Sequence, residues 1–485
     1  MDLTKSKFFL LATAFTTGAC IMVLELTASR ILAPSFGSGI YVWGSLIGVI
    51  MIALALGYYL GGRVADSSGD IGVLFKNLIV SALLVSIIPV FGSMVVSISV
   101  IGGLVYGPII STIILFSIPM TLLAMVSPMV IKFCTTNLSE LGLSAGKVYA
   151  ISTVGSIAGT FLTAFFLIPT AGSRITLLST ALILFILGSL GAYRVKYLTA
   201  FVFLLPGLLY QPPAEDSLIY RTESEYNIIS VLDYHDYRVL RLNYDYAIQS
   251  KSSKTEVLSG GGYWDYLNVG PLITKTDRIL WLGMCAGVSP KQLSYFYNAT
   301  IDAVEIDPKV AEVARDYFDL KESDEIKIHI SDGREFLRTS GSYDIVNVDV
   351  FSGGLDVPFH MATEEFFQEA KDHMTEDGLL TMNAIAIGGD ERVSNAIAYT
   401  MKQVFPSVFV VRIDQNRMLM AFKKHKTIEE IRGSLRSYDP KLSTIVNRTL
   451  SNIYEFDSSD GIILIDDKSN LDELSFEMVG RLYEI

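Results

Sequence analysis

"WLGMCAGVSP", residues 281–290, decides how the second half of this 485-residue chain folds. The apolar run "RILWLG" (278–283) leads into it and a helical pattern follows, so the stretch reads as a turn from strand to helix. Gly283 and Gly287 supply the backbone freedom such a turn needs, and no charged side chain lies between them. Further along, the short apolar runs "ATIDAVEID" (299–307), "EIKIHI" (325–330), "YDIVNVDV" (343–350) and "GLLTMNAIAI" (378–387) alternate with helical stretches such as "PKVAEVARDYF" and "TEEFFQEAKDHM". That alternation predicts a mostly parallel sheet covered by helices. Upstream, "YNIISVLDYHDYRVLRLNYDYAIQS" places a turn-prone "DYHDY" between two β-rich runs and predicts a small antiparallel sheet.

The first half has a different chemistry. Residues 1–210 hold 10 Lys+Arg and 5 Asp+Glu, a net of +5, whereas the rest hold 28 and 45, a net of −17. The seam falls at "LLYQPPAEDS" (208–217). Mean hydropathy over the whole chain is +0.43, too high for one ordinary water-soluble domain. Apolar segments near 7–32, 39–61, 73–100, 108–133, 146–170 and 174–192 each approach the ~20 residues that span a bilayer. A seventh, 197–210, is short and contains Pro206; it either crosses or lies at the interface, and its length favours the interface. With six crossings, Lys5, Lys7, Arg63, Lys76, Lys132, Lys147, Arg194 and Lys196 share one side, which the positive-inside rule makes cytoplasmic. The expectation is a multi-pass inner-membrane protein whose C-terminal half faces the cytoplasm. Glu25, within the first segment, is a candidate functional or paired acid, with Arg30 or Arg63 as its partner. Gly57/Gly61 and Gly155/Gly159 are spaced for close helix packing, and Pro128 for a kink. The domain boundaries follow: a membrane bundle of six or seven helices (1–210), a linker (211–219), a small antiparallel sheet (220–262), a cofactor-binding α/β domain (263–424) and an extension packed on it (425–485).

Three scattered cysteines and five scattered histidines give neither a disulfide framework nor metal-ligand spacing, so no metal is expected. Acids instead fall at successive strand ends: Glu305, 22 residues after Gly283, then Asp332 in "SDGREFL" and Asp349 in "NVDVFSGG". An acid about 20 residues beyond a glycine turn accepts hydrogen bonds from ribose hydroxyls. A lone acid there also serves as a helix N-cap, and Asp332 is the one for which that role competes most closely. The acidic second half suits cationic substrates and argues against a nucleic-acid partner.

In order along 224–423, "SEYNIISV", "AIQS", "YWDYLNVGPLI", "WLGMCAG", "VEIDPKVAEVARDYF", "SDGREFL", "YDIVNVDVFSG", "VPFHMATEEFF" and "GLLTMN" resemble the spermidine synthases, the polyamine aminopropyltransferases. The run "LELTASRILAPSFGSGIYVWGSLIGVIMIALALGYYLGGRVAD" resembles the membrane part of bacterial fusions that carry such a domain. The resemblance implies an α-helical membrane bundle followed by an α/β Rossmann-like methyltransferase-type domain. It implies that Gly283, Ala286 and Gly287 line the nucleoside, with Glu305 on the ribose and Asp332 and Gly333 at the adenine. Gln249 would lie along the thioether part. Tyr226, Tyr263, Asp265 and Ser352 would face an amine acceptor, and Asp349 would take its proton. The co-substrate would be S-adenosylmethionine or its decarboxylated form, the partners a small-molecule amine and the lipid bilayer, and a homo-oligomer is compatible with this.

The departures bear on the donor. The family's loop acid, which pairs with the free amine of the aminopropyl arm, is replaced by Ala286, and the second acid after Asp349 by Ser352. Intact S-adenosylmethionine carries a carboxylate that a loop acid would repel, and Ala286 removes that objection. Three readings stand: an aminopropyltransferase, an enzyme using intact S-adenosylmethionine (aminocarboxypropyl transferase, lyase or methyltransferase), or a membrane sensor or transporter that binds a nucleoside without turnover.

Overall fold

The computed structural model describes residues 6–37, 39–68, 70–135, 137–192, 207, 209, 215–243, 248–351, 357–458, 460–468 and 471–480. Two compact units divide the chain, Met1–Ala214 with Glu223–Glu225, and Glu215–Thr222 with Tyr226–Ile485. Each is described by itself.

The first unit is helical. Lys7–Phe36, Ile40–Ser68, Gly72–Gly102 and Val105–Cys134 are each long and apolar enough to cross a membrane. A fifth stretch, Leu141–Ala192, runs for 52 residues. At 1.5 Å per residue it would measure about 78 Å, more than twice a hydrocarbon core. Gly172, at φ 75° and ψ 168°, breaks it into two spans of ordinary length. Six apolar segments therefore match six spanning lengths, while 197–210 lies outside the described residues except for 207 and 209. The glycines pack helices as their spacing predicts. A Cβ on Gly155 would lie 2.1 Å from the Phe15 carbonyl oxygen and one on Gly159 2.4 Å from that of Ala19; Gly57 and Gly61 meet Thr121 and Met125 as closely. The helix containing Pro128 breaks at Met125, three residues earlier, because proline supplies no N–H to the preceding turn.

Among the described residues no ion pair within 4.0 Å joins Glu25 to Arg30 or Arg63. Arg63 is exposed and lies 5.3 Å over the ring of Tyr59, one turn back on its own helix.

The second unit opens with a four-stranded antiparallel sheet, β1 (Leu218–Glu223), β2 (Ile228–Asp233), β3 (Tyr237–Leu242) and β4 (Ile248–Ser253), ordered β1-β2-β3-β4. The "DYHDY" turn joins β2 to β3. An eight-stranded sheet follows: β5 (Arg278–Leu282), β6 (Thr300–Glu305), β7 (Ile326–Ile330), β8 (Tyr343–Val348), β9 (Met374–Ile385), β10 (Ser407–Ile413), β11 (Asn416–Phe422) and β12 (Ile453–Glu455). Its order is β12-β10-β11-β9-β8-β5-β6-β7. The five strands from β9 to β7 are parallel, as the alternation predicts; β11, β10 and β12 are antiparallel. Side chains alternate between two cores: Leu280, Leu282, Val346 and Val348 pack on one face with Phe366 and Phe367, while Ile279, Trp281, Ile301 and Ile345 pack on the other. From β5 the chain continues to β6 on one side and later returns to β8 on the other. That topological switch opens a crevice at the strands' carboxyl ends.

Candidate active site

The crevice is built around the turn after β5. Gly283 (φ 86°), Cys285 (φ 49°) and Gly287 (φ 68°) take left-handed conformations before the helix Val288–Phe296. Gly283 has a second constraint: a Cβ there would stand 2.2 Å from the Asp349 carbonyl oxygen, so only glycine lets β8 close against the loop. The N–H groups of Gly283 and Met284 both donate to the Val304 carbonyl, at 3.0 and 3.1 Å.

Glu305 ends β6 and is 7 % exposed. Its carboxylate accepts from the Cys285 N–H at 2.9 Å and the Asp307 N–H at 3.1 Å. Burial pushes its pKa up to about 7 against the pull of those donors. Asp349 follows β8 and is 9 % exposed. Its Oδ2 accepts from the Tyr263 hydroxyl at 3.1 Å and its Oδ1 from the Asn383 amide at 3.0 Å. Burial raises it to about 6, with both donors opposing. Tyr263 and the Cys285 thiol are held well above their ordinary values, first by burial and then by neighbouring acids, so both stay neutral. A partly ionised, buried carboxylate beside a backbone-lined loop can bind a cation and accept its proton.

The structure brings Tyr263, Gly283, Gly287, Glu305 and Asp349 together through these contacts. Gln249, on β4, borders them: its carbonyl accepts from the Trp264 indole at 3.0 Å, and the next hydroxyl, Ser250 Oγ, accepts from the Ala286 N–H at 3.3 Å. Ala286 itself is fully buried among Ile229, Val231, Leu240, Trp264 and Val288. Asp332 is the N-cap of the helix Gly333–Thr339, its Oδ1 accepting from Arg334 and Glu335 N–H groups at 2.9 Å each. A Cβ on Gly333 would meet Leu282 at 3.5 Å, which keeps this cap beside the end of β5. Tyr226 is exposed; its neighbour Asn227 donates to Asp307 at 2.9 Å. Ser352 lies outside the described residues.

Asp265 corrects an expectation. It is completely buried, and its oxygens accept from the Ser259 and Gly261 N–H groups and from Gln292, each at 2.7 Å. It ties down the "SGGG" loop rather than facing a substrate. The one-turn helix Tyr263–Tyr266 explains this, because at ~100° per residue positions 263 and 265 point to nearly opposite sides.

Residues 249–431 match the spermine/spermidine synthase domain. The C-terminal half carries a spermine/spermidine synthase domain. The chain is 29 % identical over 292 residues to the probable polyamine aminopropyl transferase of Bifidobacterium longum, covering 55 % of this chain and 64 % of that protein's length. It is 31 % identical over 149 residues to the eEF1A lysine and N-terminal methyltransferase of Homo sapiens, covering 28 % and 21 %. A probable spermidine synthase of Corynebacterium glutamicum, known as a crystal structure, superposes with a TM-score of 0.42 at 20 % identity, covering 54 % of this chain and 99 % of that one.

Two polar residues of the synthase domain, Asn383 and Ser250, are functional candidates that reading strand ends misses. Asn383 lies within β9, where alternation gives no sign of a ligand-facing end; the signal is an amide inside a run that is apolar apart from it and Thr381, "LLTMNAIAI". Among the described residues of the synthase domain and the rest of the chain, no group of three or more His, Cys, Asp and Glu is arranged for a metal ion.

Proposed function

We propose that the C-terminal half is a membrane-anchored transferase that moves a propylamine-type group from an S-adenosyl sulfonium donor to an amine. Asp349 takes the acceptor's proton, because an amine with pKa near 10 is protonated at neutral pH and has no lone pair to attack with. The freed nitrogen attacks the carbon beside the sulfonium sulfur. The carbon–sulfur bond breaks, its electrons stay on sulfur, and methylthioadenosine leaves. Glu305 would hold the ribose diol, with the backbone of the Gly283–Gly287 turn along the nucleoside and Gln249 beside the thioether. Tyr263 would orient Asp349 and the acceptor. The observation that carries this reading is the Tyr263–Asp349 pair set against the glycine turn, 3.1 Å from the hydroxyl of a half-buried tyrosine to a buried carboxylate.

A second reading rests on Ala286. A buried alanine stands where the family's loop carries the acid that pairs with the free amine of a decarboxylated donor, which favours intact S-adenosylmethionine, and the human methyltransferase relative points the same way.

Mass spectrometry of detergent-purified protein given each donor, with and without putrescine or spermidine, separates the two. Amine-dependent methylthioadenosine from the decarboxylated donor, lost in Asp349→Asn, is the expected result. Methylthioadenosine from the intact donor would move the reading to an aminocarboxypropyl transferase or lyase, and S-adenosylhomocysteine to a methyltransferase. A donor bound but not consumed would leave a sensor.

A further inference from the structure

Asn383 is 4 % exposed on β9, which runs parallel to β8 and antiparallel to β11. The pairing of Val348 with Met382 brings the next residues, Asp349 and Asn383, side by side. Three hydrogen bonds run in one line: the Asn416 amide donates to Asn383 Oδ1 at 2.9 Å, the Asn383 amide donates to Asp349 Oδ1 at 3.0 Å, and the Tyr263 hydroxyl donates to Asp349 Oδ2 at 3.1 Å.

The direction of that line is fixed by chemistry. An ionised carboxylate only accepts, so Asn383 must present its NH₂ to Asp349 and its oxygen to the far side. That oxygen needs a donor, and Asn416 supplies one. Without Asn416 the amide is free to turn over and set oxygen against oxygen. A buried amide in an apolar strand is costly to desolvate, and here both of its ends are spent on orienting one carboxylate.

We propose that Asn383 is a positioning residue that aims Asp349 at the acceptor amine and keeps it ionised, with Asn416 locking the amide the right way round. This rests on the reading of Asp349 as proton acceptor. Among the described residues, the titratable groups of the site beside Asp349 are Tyr263 and, across the loop, Cys285, both held neutral, and Glu305 on the Cys285 N–H, whose own titration near 7 is the same in wild type and variants and is separated from that of Asp349 by the infrared band. Tyr263 and Cys285 do not compete with it for a proton between about pH 5 and 8.

The test compares the full-length wild type, Asn383→Ala and Asn416→Ala in detergent. Two titrations are read: the rate of methylthioadenosine release against pH, and the infrared carboxyl band assigned to Asp349 by its loss in Asp349→Asn. In Asn383→Ala both should move to higher pH by about one unit, which is about a tenfold lower rate below both limbs. Asn416→Ala should move them the same way by less. Methylthioadenosine affinity should stay within about twofold of wild type, because Asn383 does not touch the nucleoside's binding groups. Unmoved titrations in both variants overturn the proposal, as does a rate loss that tracks lost affinity with the acidic limb in place. If Asn383→Ala does not fold, Asn416→Ala decides by the same criterion. Wild-type protein that releases no methylthioadenosine refutes the transferase reading instead, and the infrared shift still decides whether Asn383 governs Asp349.

Discussion

Asp349 and Glu305 are carboxylates that folding holds protonated over a range where an exposed acid is ionised. For Asp349 the window runs from its ordinary 3.8 to about 6. Within it the native state binds more protons than the unfolded chain, so stability falls as pH rises through the window and the cost is complete above it. At about 1.4 kcal/mol per unit that cost is about 3 kcal/mol at neutral pH. Asp349→Asn should therefore lose turnover and yet resist denaturant better than wild type at pH 7.5, by up to ~3 kcal/mol, with the gap closing as pH falls toward 4. A wild-type-like midpoint at pH 7.5 would contradict this. Glu305 makes a different prediction, about binding. In its proposed place at the ribose diol, with its pKa raised to about 7, it would present a full carboxylate only above that value. Methylthioadenosine should bind more weakly by up to about tenfold per unit below pH 7, and Glu305→Gln should flatten the dependence, which calorimetry would read. These two acids are legible in the sequence because each ends a short apolar run after a glycine turn. Asp265 is legible as an acid but not in direction, since one turn of helix reverses it. Asn383 is hidden because its partner, Asp349, comes from a strand 34 residues away.

Strands β10 and β11 show why part of the sheet escapes a reading by alternation. "SVFVVRI" and "NRMLMAF" are buried along nearly their whole length, so each reads as a continuous apolar run rather than as a two-faced strand. The hairpin matters to the site, because Asn416 opens β11 and reaches Asn383. By contrast, the five parallel strands are each framed by a polar turn and a helix and can be read in sequence order. The glycines of the first unit are equally legible, since four-residue spacing puts them on one helix face. Gly155→Leu should separate the helices Lys7–Phe36 and Leu141–Leu162, because the side chain would occupy the space held by the Phe15 carbonyl. The detergent melting temperature should drop by several degrees, about 1–3 kcal/mol of overpacking strain. Gly48→Ala, whose Cβ would meet nothing within 4 Å, should leave it unchanged. Equal effects of the two substitutions would mean that helix propensity, not packing, is what glycine sets there.

Charge is divided between the halves of the molecule in a way that bears on topology. The first half carries +5 on few residues, gathered at segment ends, and the second carries −17. Basic residues near segment ends decide orientation, whereas acidic residues of a long following domain contribute little, so the −17 does not oppose the +5. Six spanning lengths return the chain to its starting side, because an even number of crossings does so. Eight basic residues, from Lys5 to Lys196, then share the side of the N-terminus, and the other side keeps only Arg30 and Arg174. The transferase reading demands the same outcome, since S-adenosyl donors are made and kept in the cytoplasm and carry a charge that bars passive crossing. A fluorescent protein fused after Ile485 and expressed in bacteria should therefore be bright, and alkaline phosphatase fused at the same point should be inactive. The reverse pattern would require 197–210 to cross as a seventh span. The synthase domain would then lie outside the cell, cut off from its donor, and the sensor reading would gain the ground that the transferase lost.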